Sequence, residues 1–98
     1  MDKYPQAELR DWYETDVIGS MLINGSIKTK YTLYTEDLHN PTLRKLYRHL
    51  INNSDEHGSF TNDDVLTDNI SANRYILTLM NNALISNIDT KCRYLVQR

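Results

Sequence analysis

The strongest constraint on the fold of this chain is the spacing of its apolar residues, which recur every three or four positions along most of its length. Such spacing places them on one stripe of a helix, whereas a half-buried strand requires strict alternation. The clearest stripes lie at Leu9 to Ile23, Leu43 to Leu50, Ala72 to Ile85 and Ile88 to Val96. Only Ile27 to Thr35 alternates, and a lone strand has no partner. The sequence therefore predicts an all-α fold, with Ile27 to Thr35 as an irregular helix or an extended connector.

Turn and capping residues predict the ends of the first two helices. Asn24-Gly25 closes the first, because glycine accepts the left-handed backbone that ends many helices. Asn40-Pro41 begins the second, since asparagine caps free amides and proline at the first helical position loses no hydrogen bond. Within the first helix, Gly19 costs about 1 kcal/mol relative to alanine. We therefore expect another backbone to pack closely against Gly19.

In the second half of the chain, the capping signals are weaker. Thr61 followed three residues later by Asp64 resembles a capping box for a short helix ending near Asp68. Asn87 is a candidate cap for the last helix, whose apolar pattern continues to Arg98 as if the helix were cut from a longer one. Together, the apolar stripes and the capping residues predict one domain over residues 1–98, a compact orthogonal bundle of five or six short helices.

Length, charge and cysteine content exclude several classes of protein. Ninety-eight residues, 40% of them apolar, suffice for one modest core. The formal net charge of -2 gives no general attraction to nucleic acid. No apolar stretch has the length of a membrane-spanning helix, and no signal peptide opens the chain. With Cys92 as its one cysteine, the chain has the composition of a cytoplasmic protein.

No catalytic, cofactor-binding or metal-binding constellation is recognisable in the sequence. The three glycines are isolated from one another, so a phosphate-binding loop is not indicated. Cys92 lies on the apolar stripe of the last helix, where cysteine usually behaves as a small hydrophobe. His39, His49 and His57 lack the spacing of zinc ligands. The sequence therefore predicts a protein that is not an enzyme and that needs no cofactor.

The remaining hypothesis for the function is binding to a partner protein. The candidate contact residues are Arg44, Lys45, Tyr47, Arg48, Leu77 and Ile85. Three of them form a basic ridge beside Tyr47, which could contact phosphate or an acidic protein surface. Leu77 flanks the apolar stripe of its helix and Ile85 lies away from it, so both are candidates for exposure. The segment from His49 to Asn73 contains no Lys or Arg but several acids, which predicts a polarised surface able to orient a charged partner.

Three short blocks occur in a defined order: Val-Ile-Gly-Ser-Met-Leu at 17–22, Glu-Asp-Leu at 36–38 and Leu-Arg-Lys-Leu-Tyr at 43–47. They resemble the "VLGSML", "EDF" and "R-x-[IL]-[FY]" motifs in the N-terminal domain of DnaB-type replicative helicases. Of the family's "EAEQ" lead-in only Glu14 is in place. The resemblance implies a non-catalytic module that contacts primase or a helicase loader and supports helicase assembly. It does not imply ATP hydrolysis, because the sequence contains no phosphate-binding loop.

Three alternatives stay open. The same blocks resemble the helicase-binding C-terminal domain of DnaG-type primases, which has the same fold. A phage or mobile-element protein could imitate the module to recruit or inhibit host replication factors. A small DNA-binding regulator could place Asn40 to Leu50 in a groove of DNA. The expected partners are primase, replicative helicase or helicase loader, and weak self-association is possible. Nucleic acid is expected to be contacted only through these partners, and no membrane binding is expected.

Overall fold

The computed structural model describes residues 6–97, which form five α-helices and one 3₁₀ turn. The helices are α1 (Gln6–Asn24), α2 (Pro41–Asn52), α3 (Asn62–Val65), α4 (Ile70–Asn82) and α5 (Ile88–Leu95), and the turn is Thr35–Asp37. No strand occurs among these residues, where one antiparallel bridge pairs Ser26 with Ser59. The predicted all-α bundle of short helices is confirmed. Of the segment Ile27 to Thr35, residues 27–34 form a connector without helix or strand, whereas Thr35 begins the 3₁₀ turn.

The core surrounds α1, which packs against α2, α4 and α5. Every helix contributes to it, and the connectors between them add three residues. The buried apolar residues are Val17, Ile18, Met21, Leu22, Leu33, Leu38, Leu43, Tyr47, Leu50, Phe60, Val65, Ile76, Leu79, Cys92 and Leu95. The stripe of α2 is confirmed, with Leu46 half-buried at its edge. Because α1 is the common partner, its side chains determine where the other elements sit.

The close approach predicted at Gly19 is confirmed. A Cβ added there would lie 2.5 Å from the Cβ of Ala83 and 2.9 Å from the backbone oxygen of Leu79. Both distances are shorter than a van der Waals contact, so only glycine lets α1 and α4 approach this closely. The packing of these two helices therefore explains why α1 tolerates a poor helix former.

The predicted helix ends are largely confirmed. Gly25 has a φ of +65°, the left-handed conformation expected after α1. The side chain of Asn40 accepts hydrogen bonds from the backbone N–H groups of Thr42 and Leu43. Thr61 and Asp64 form the predicted capping box. The residues at the helix ends therefore determine where α1 closes and where α2 and α3 begin.

Several predicted boundaries are wrong. Helix α3 ends at Val65 instead of near Asp68, and α4 ends at Asn82 instead of Ile85. Asn87 stands at the start of α5 but in the left-handed conformation, and its side chain makes no capping hydrogen bond. Helix α5 ends at Leu95, while Arg98 lies outside the described residues. At the end of α4 a distant contact replaces the helical hydrogen bond, because the N–H of Leu84 donates to Asp16.

Candidate protein-interaction surface

A buried ion pair holds the linker between α4 and α5. The carboxylate of Asp16, buried on α1, accepts a hydrogen bond from Lys91 Nζ at 2.9 Å and another from the backbone N–H of Leu84 at 3.0 Å. Lys91 Nζ also donates to the carbonyl of Leu84 at 2.8 Å. Both backbone polar groups of Leu84 are therefore bonded to one α1–α5 ion pair, which fixes the linker against the helices.

The linker presents apolar side chains to solvent beside a tryptophan of α1. Trp12 is 64% exposed, Leu84 58% and Ile85 57%. Trp12 and Leu84 line the same shallow depression, together with Asp11, Thr15 and Asn82. We call Trp12, Leu84 and Ile85 the linker patch. A few residues supply most of the affinity at protein interfaces, and tryptophan is prominent among them. A backbone already held in place also loses less entropy on binding.

Trp12 is exposed because α4 ends too early to cover it. Gly19 contacts Leu79 of α4 and Ala83 directly after its end, and it lies two helical turns after Trp12 on the same side of α1. Since α4 ends at Asn82, its helical body does not continue over the first half of α1. The apolar stripes that the sequence predicts over Leu9 to Ile23 and Ala72 to Ile85 include Leu9, Trp12 and Leu84, and the prediction that these three side chains are buried is wrong.

The structure divides the predicted basic ridge on α2. Lys45 and Arg48 are exposed. Arg44 is half-buried, and its Nε and Nη2 donate to the carbonyl oxygen of Leu38 at 3.0 and 2.7 Å. Tyr47 is buried, with its hydroxyl donating to the carbonyl of Leu33 at 2.8 Å. Within the fold, Arg44 and Tyr47 thus fix the connector before α2, and Tyr47 is placed in the core instead of beside an exposed ridge.

The two apolar candidates are exposed as predicted. Leu77 is 55% exposed on the outer face of α4, and Ile85 belongs to the linker patch. Leu77 lies on α4 and Ile85 in the linker after it, whereas Lys45 and Arg48 lie on α2. Of the six predicted contact residues, Tyr47 is buried and Arg44 is half-buried, and the other four are exposed.

Sequence reasoning missed Trp12 and Leu84, although the sequence carried a signal for one of them. Positions three and four after Trp12 are Thr15 and Asp16, whereas four positions after Tyr13 the apolar stripe continues at Val17. Tryptophan at the polar edge of a stripe is a candidate for exposure. No comparable local signal marks Leu84, which continues the apolar pattern of α4.

A second buried carboxylate, Glu14, joins α1 to the start of α2. Its oxygens accept hydrogen bonds from the backbone N–H groups of His39 at 2.8 Å and Asn40 at 3.0 Å. Arg10 Nε lies 3.3 Å from Glu14 Oε2, an ionic contact without hydrogen-bond geometry. The Arg10 guanidinium also donates through Nη2 to the carbonyl of Leu95 at 3.0 Å. Glu14 thus joins α1 to the connector before α2, and Arg10 joins α1 to the end of α5.

Cys92 is buried in the core, as predicted. Its Sγ lies 3.5 Å from the carbonyl oxygen of Tyr31, and burial raises the pKa of the thiol. Among residues 6–97, no group of three or more His, Cys, Asp or Glu side chains is arranged to hold a metal ion. No helix in this part of the chain combines the length and apolar character needed to cross a bilayer.

The chain matches none of the protein-family models, curated proteins or solved structures with which we compared it.

Proposed function

We propose that this chain is a non-catalytic protein-interaction module of DNA replication, of the kind found at the N-terminus of DnaB-type replicative helicases. Its partner would be a primase, a replicative helicase or a helicase loader. The observation that carries the proposal is the linker patch, where Trp12 and Leu84 are exposed side by side on a backbone that the Asp16–Lys91 ion pair holds. An exposed cluster of this kind is typical of a surface that binds another protein.

The positions of the resembling blocks support the same proposal. Residues 17–22 form the buried centre of α1, residues 36–38 include the end of the 3₁₀ turn, and residues 43–47 belong to α2. Glu14, from the lead-in to the first block, bonds to backbone N–H groups between the second and third blocks. The lead-in to the first block therefore bonds to the segment that joins the second block to the third.

The primase-like and phage-mimic alternatives would use the same linker patch, since each also acts by binding a replication protein. The DNA-binding alternative requires the basic residues of α2 to reach phosphates. It has less support, because Arg44 is bonded to the carbonyl of Leu38 and leaves only Lys45 and Arg48 of that ridge exposed. The interaction module is therefore the function that the geometry supports best.

A titration tests the proposal. The chain is labelled with 5-fluorotryptophan, which reports on Trp12 alone because the chain has one tryptophan. It is then titrated with the primase helicase-binding domain, the helicase and the loader of the same cell. We expect the ¹⁹F resonance to shift with one of them at a dissociation constant below about 10 μM, equivalent to roughly 7 kcal/mol. Binding to none of the three would contradict the proposal.

Two variants separate the patch from the rest of the surface. Trp12→Ala and Leu84→Ala should each weaken binding about tenfold or more, as truncation of an interface anchor does. Leu77→Ala is the matched control, because Leu77 has a similar exposure but lies outside the linker patch. Equal effects of all three substitutions would exclude the patch as the contact surface.

A further inference from the structure

A second recess lies between α2 and α4, apart from the linker patch. We call it the α2–α4 groove. Its volume is about 490 Å³, and its apolar lining consists of Leu46, Val65, Ala72, Tyr75 and Ile76. It shares no lining residue with the depression beside Trp12. An apolar channel between two helices has the shape that accepts one face of a third helix.

The charges at this groove are of one sign on the α2 side. Of the described residues that line it, none is Asp or Glu, and Lys45 carries the one permanent charge. Arg48, one turn along α2, is exposed, and Arg74 is exposed beside the lining residue Tyr75 on α4. Two exposed acids adjoin lining residues in sequence, Asp64 beside Val65 and Asp68 beside Thr67, and both belong to α3 or the α3–α4 connector rather than to α2. A helix lying in the groove would therefore meet positive charge along the flank that faces α2.

We propose that the α2–α4 groove binds an amphipathic helix of a partner protein, with the apolar face of that helix in the groove and an acidic flank against Lys45 and Arg48. A protein helix fits better than an anionic membrane, which also offers apolar and negative groups. The apolar residues line a recess between helices instead of projecting from the surface, and the net charge of -2 opposes approach to an anionic bilayer. This site does not depend on the linker patch or on a role in replication.

Selection from a phage-displayed library of random 16-residue peptides tests the proposal. Peptides are selected on the wild-type chain and counter-selected on Ala72→Leu, in which a larger side chain at a half-buried position of α4 would fill the groove. We expect the surviving sequences to carry apolar residues at intervals of three and four, flanked by Asp or Glu. The best peptide is then synthesised, and its affinity is measured by fluorescence anisotropy.

The expected results are specific. Lys45→Glu should weaken that peptide about tenfold, as loss of a charge pair at an interface does, and raising the salt concentration should weaken it further. Ala72→Leu should abolish binding, whereas Trp12→Ala should leave it unchanged. Circular dichroism and urea unfolding establish that the variants fold, and Lys45→Glu alters only an exposed side chain.

Other outcomes would overturn the proposal. They are a selection that yields no groove-dependent peptide, peptides that are basic or lack helical periodicity, and affinities that do not change in Lys45→Glu and Ala72→Leu. Vesicles containing phosphatidylserine form a further arm of the experiment. Binding to them that Ala72→Leu removes, without any peptide binding, would assign the groove to lipid instead.

Discussion

Asp16, which is buried, and Lys91, which is largely buried, form an ion pair with 2.9 Å between Oδ2 and Nζ that joins α1 to α5. Both partners also bond to the backbone of Leu84, so the pair fixes the linker between α4 and α5. A buried ion pair adds little stability compared with apolar packing, because both charges lose their hydration. Its effect here is geometric, since it determines where Leu84 and Ile85 are presented.

Removing the cation of this pair should destabilise the fold strongly. In Lys91→Met the carboxylate of Asp16 stays buried without a counter-charge, and we expect a loss of about 3–5 kcal/mol in the free energy of unfolding. Urea unfolding measures that loss. Hydrogen exchange at the amide of Leu84 should accelerate more than exchange at the centre of α1, because the linker loses its fixed position.

The double variant Asp16→Asn with Lys91→Met is the control for this prediction. It removes both charges, so it should be more stable than Lys91→Met alone. A loss equal to the sum of the two single substitutions would mean that the charges do not interact.

Gly19→Ala should destabilise the fold although alanine favours helices. The new Cβ would lie 2.5 Å from Ala83 Cβ and 2.9 Å from the oxygen of Leu79. Overpacking of this kind costs about 1–3 kcal/mol, while the gain in helix propensity is at most about 1 kcal/mol. A thermal melt gives the sign. Adding Ala83→Gly should recover part of the loss, and an increase in stability from Gly19→Ala alone would refute the close contact.

Glu14→Gln should weaken the junction between α1 and α2. Both carboxylate oxygens accept backbone hydrogen bonds, and the amide group of glutamine would place a donor against one of those N–H groups. Hydrogen bonds to buried charges contribute about 1.5–3 kcal/mol, which is the loss we expect in urea unfolding. Asp11→Asn is the matched control on the same helix: Asp11 is exposed, so its change should stay within about 0.5 kcal/mol.

Alkaline pH should destabilise the fold through Tyr47. Burial raises the pKa of Tyr47 from 10.0 to about 12. The folded state therefore keeps its proton longer than the unfolded chain does. Stability from this group is complete below pH 10 and is lost as the pH rises toward about 12. Urea unfolding between pH 9 and 12 should show a steeper decline for the wild type than for Tyr47→Phe, and equal slopes would contradict the prediction.

The parts of the fold that the sequence predicted depend on local chemistry. Asn40 caps α2 through backbone amides two and three residues away. Gly25 closes α1 through its own φ angle. The apolar spacing of α1 and α2 identifies their buried sides, and Gly19 signals a close contact without revealing its partner. The cap and the turn could be predicted because their causes lie within one turn of the residue concerned.

The interaction surface could not be predicted because its causes are distant in sequence. Leu84 leaves the helix while its N–H donates to Asp16, 68 positions earlier in the chain. Trp12 is exposed because α4 ends before reaching it. Tyr47 has the spacing of a core residue, but its hydroxyl partner is the carbonyl of Leu33 in an irregular connector. Apolar periodicity predicts which side of a helix can be buried. The exposure of each side chain also depends on whether a neighbouring element covers it.

Leu79 and Leu77, two positions apart on α4, test that distinction directly. Leu79 is 5% exposed and belongs to the core, whereas Leu77 is 55% exposed. Leu79→Ala should cost about 2–5 kcal/mol, because a buried truncation loses transfer free energy and leaves a cavity. Leu77→Ala should change stability by no more than about 0.5 kcal/mol, since its side chain is largely in water in both states. The difference between their urea midpoints measures the effect of the covering neighbour, and similar midpoints would contradict the packing of α4 against α1.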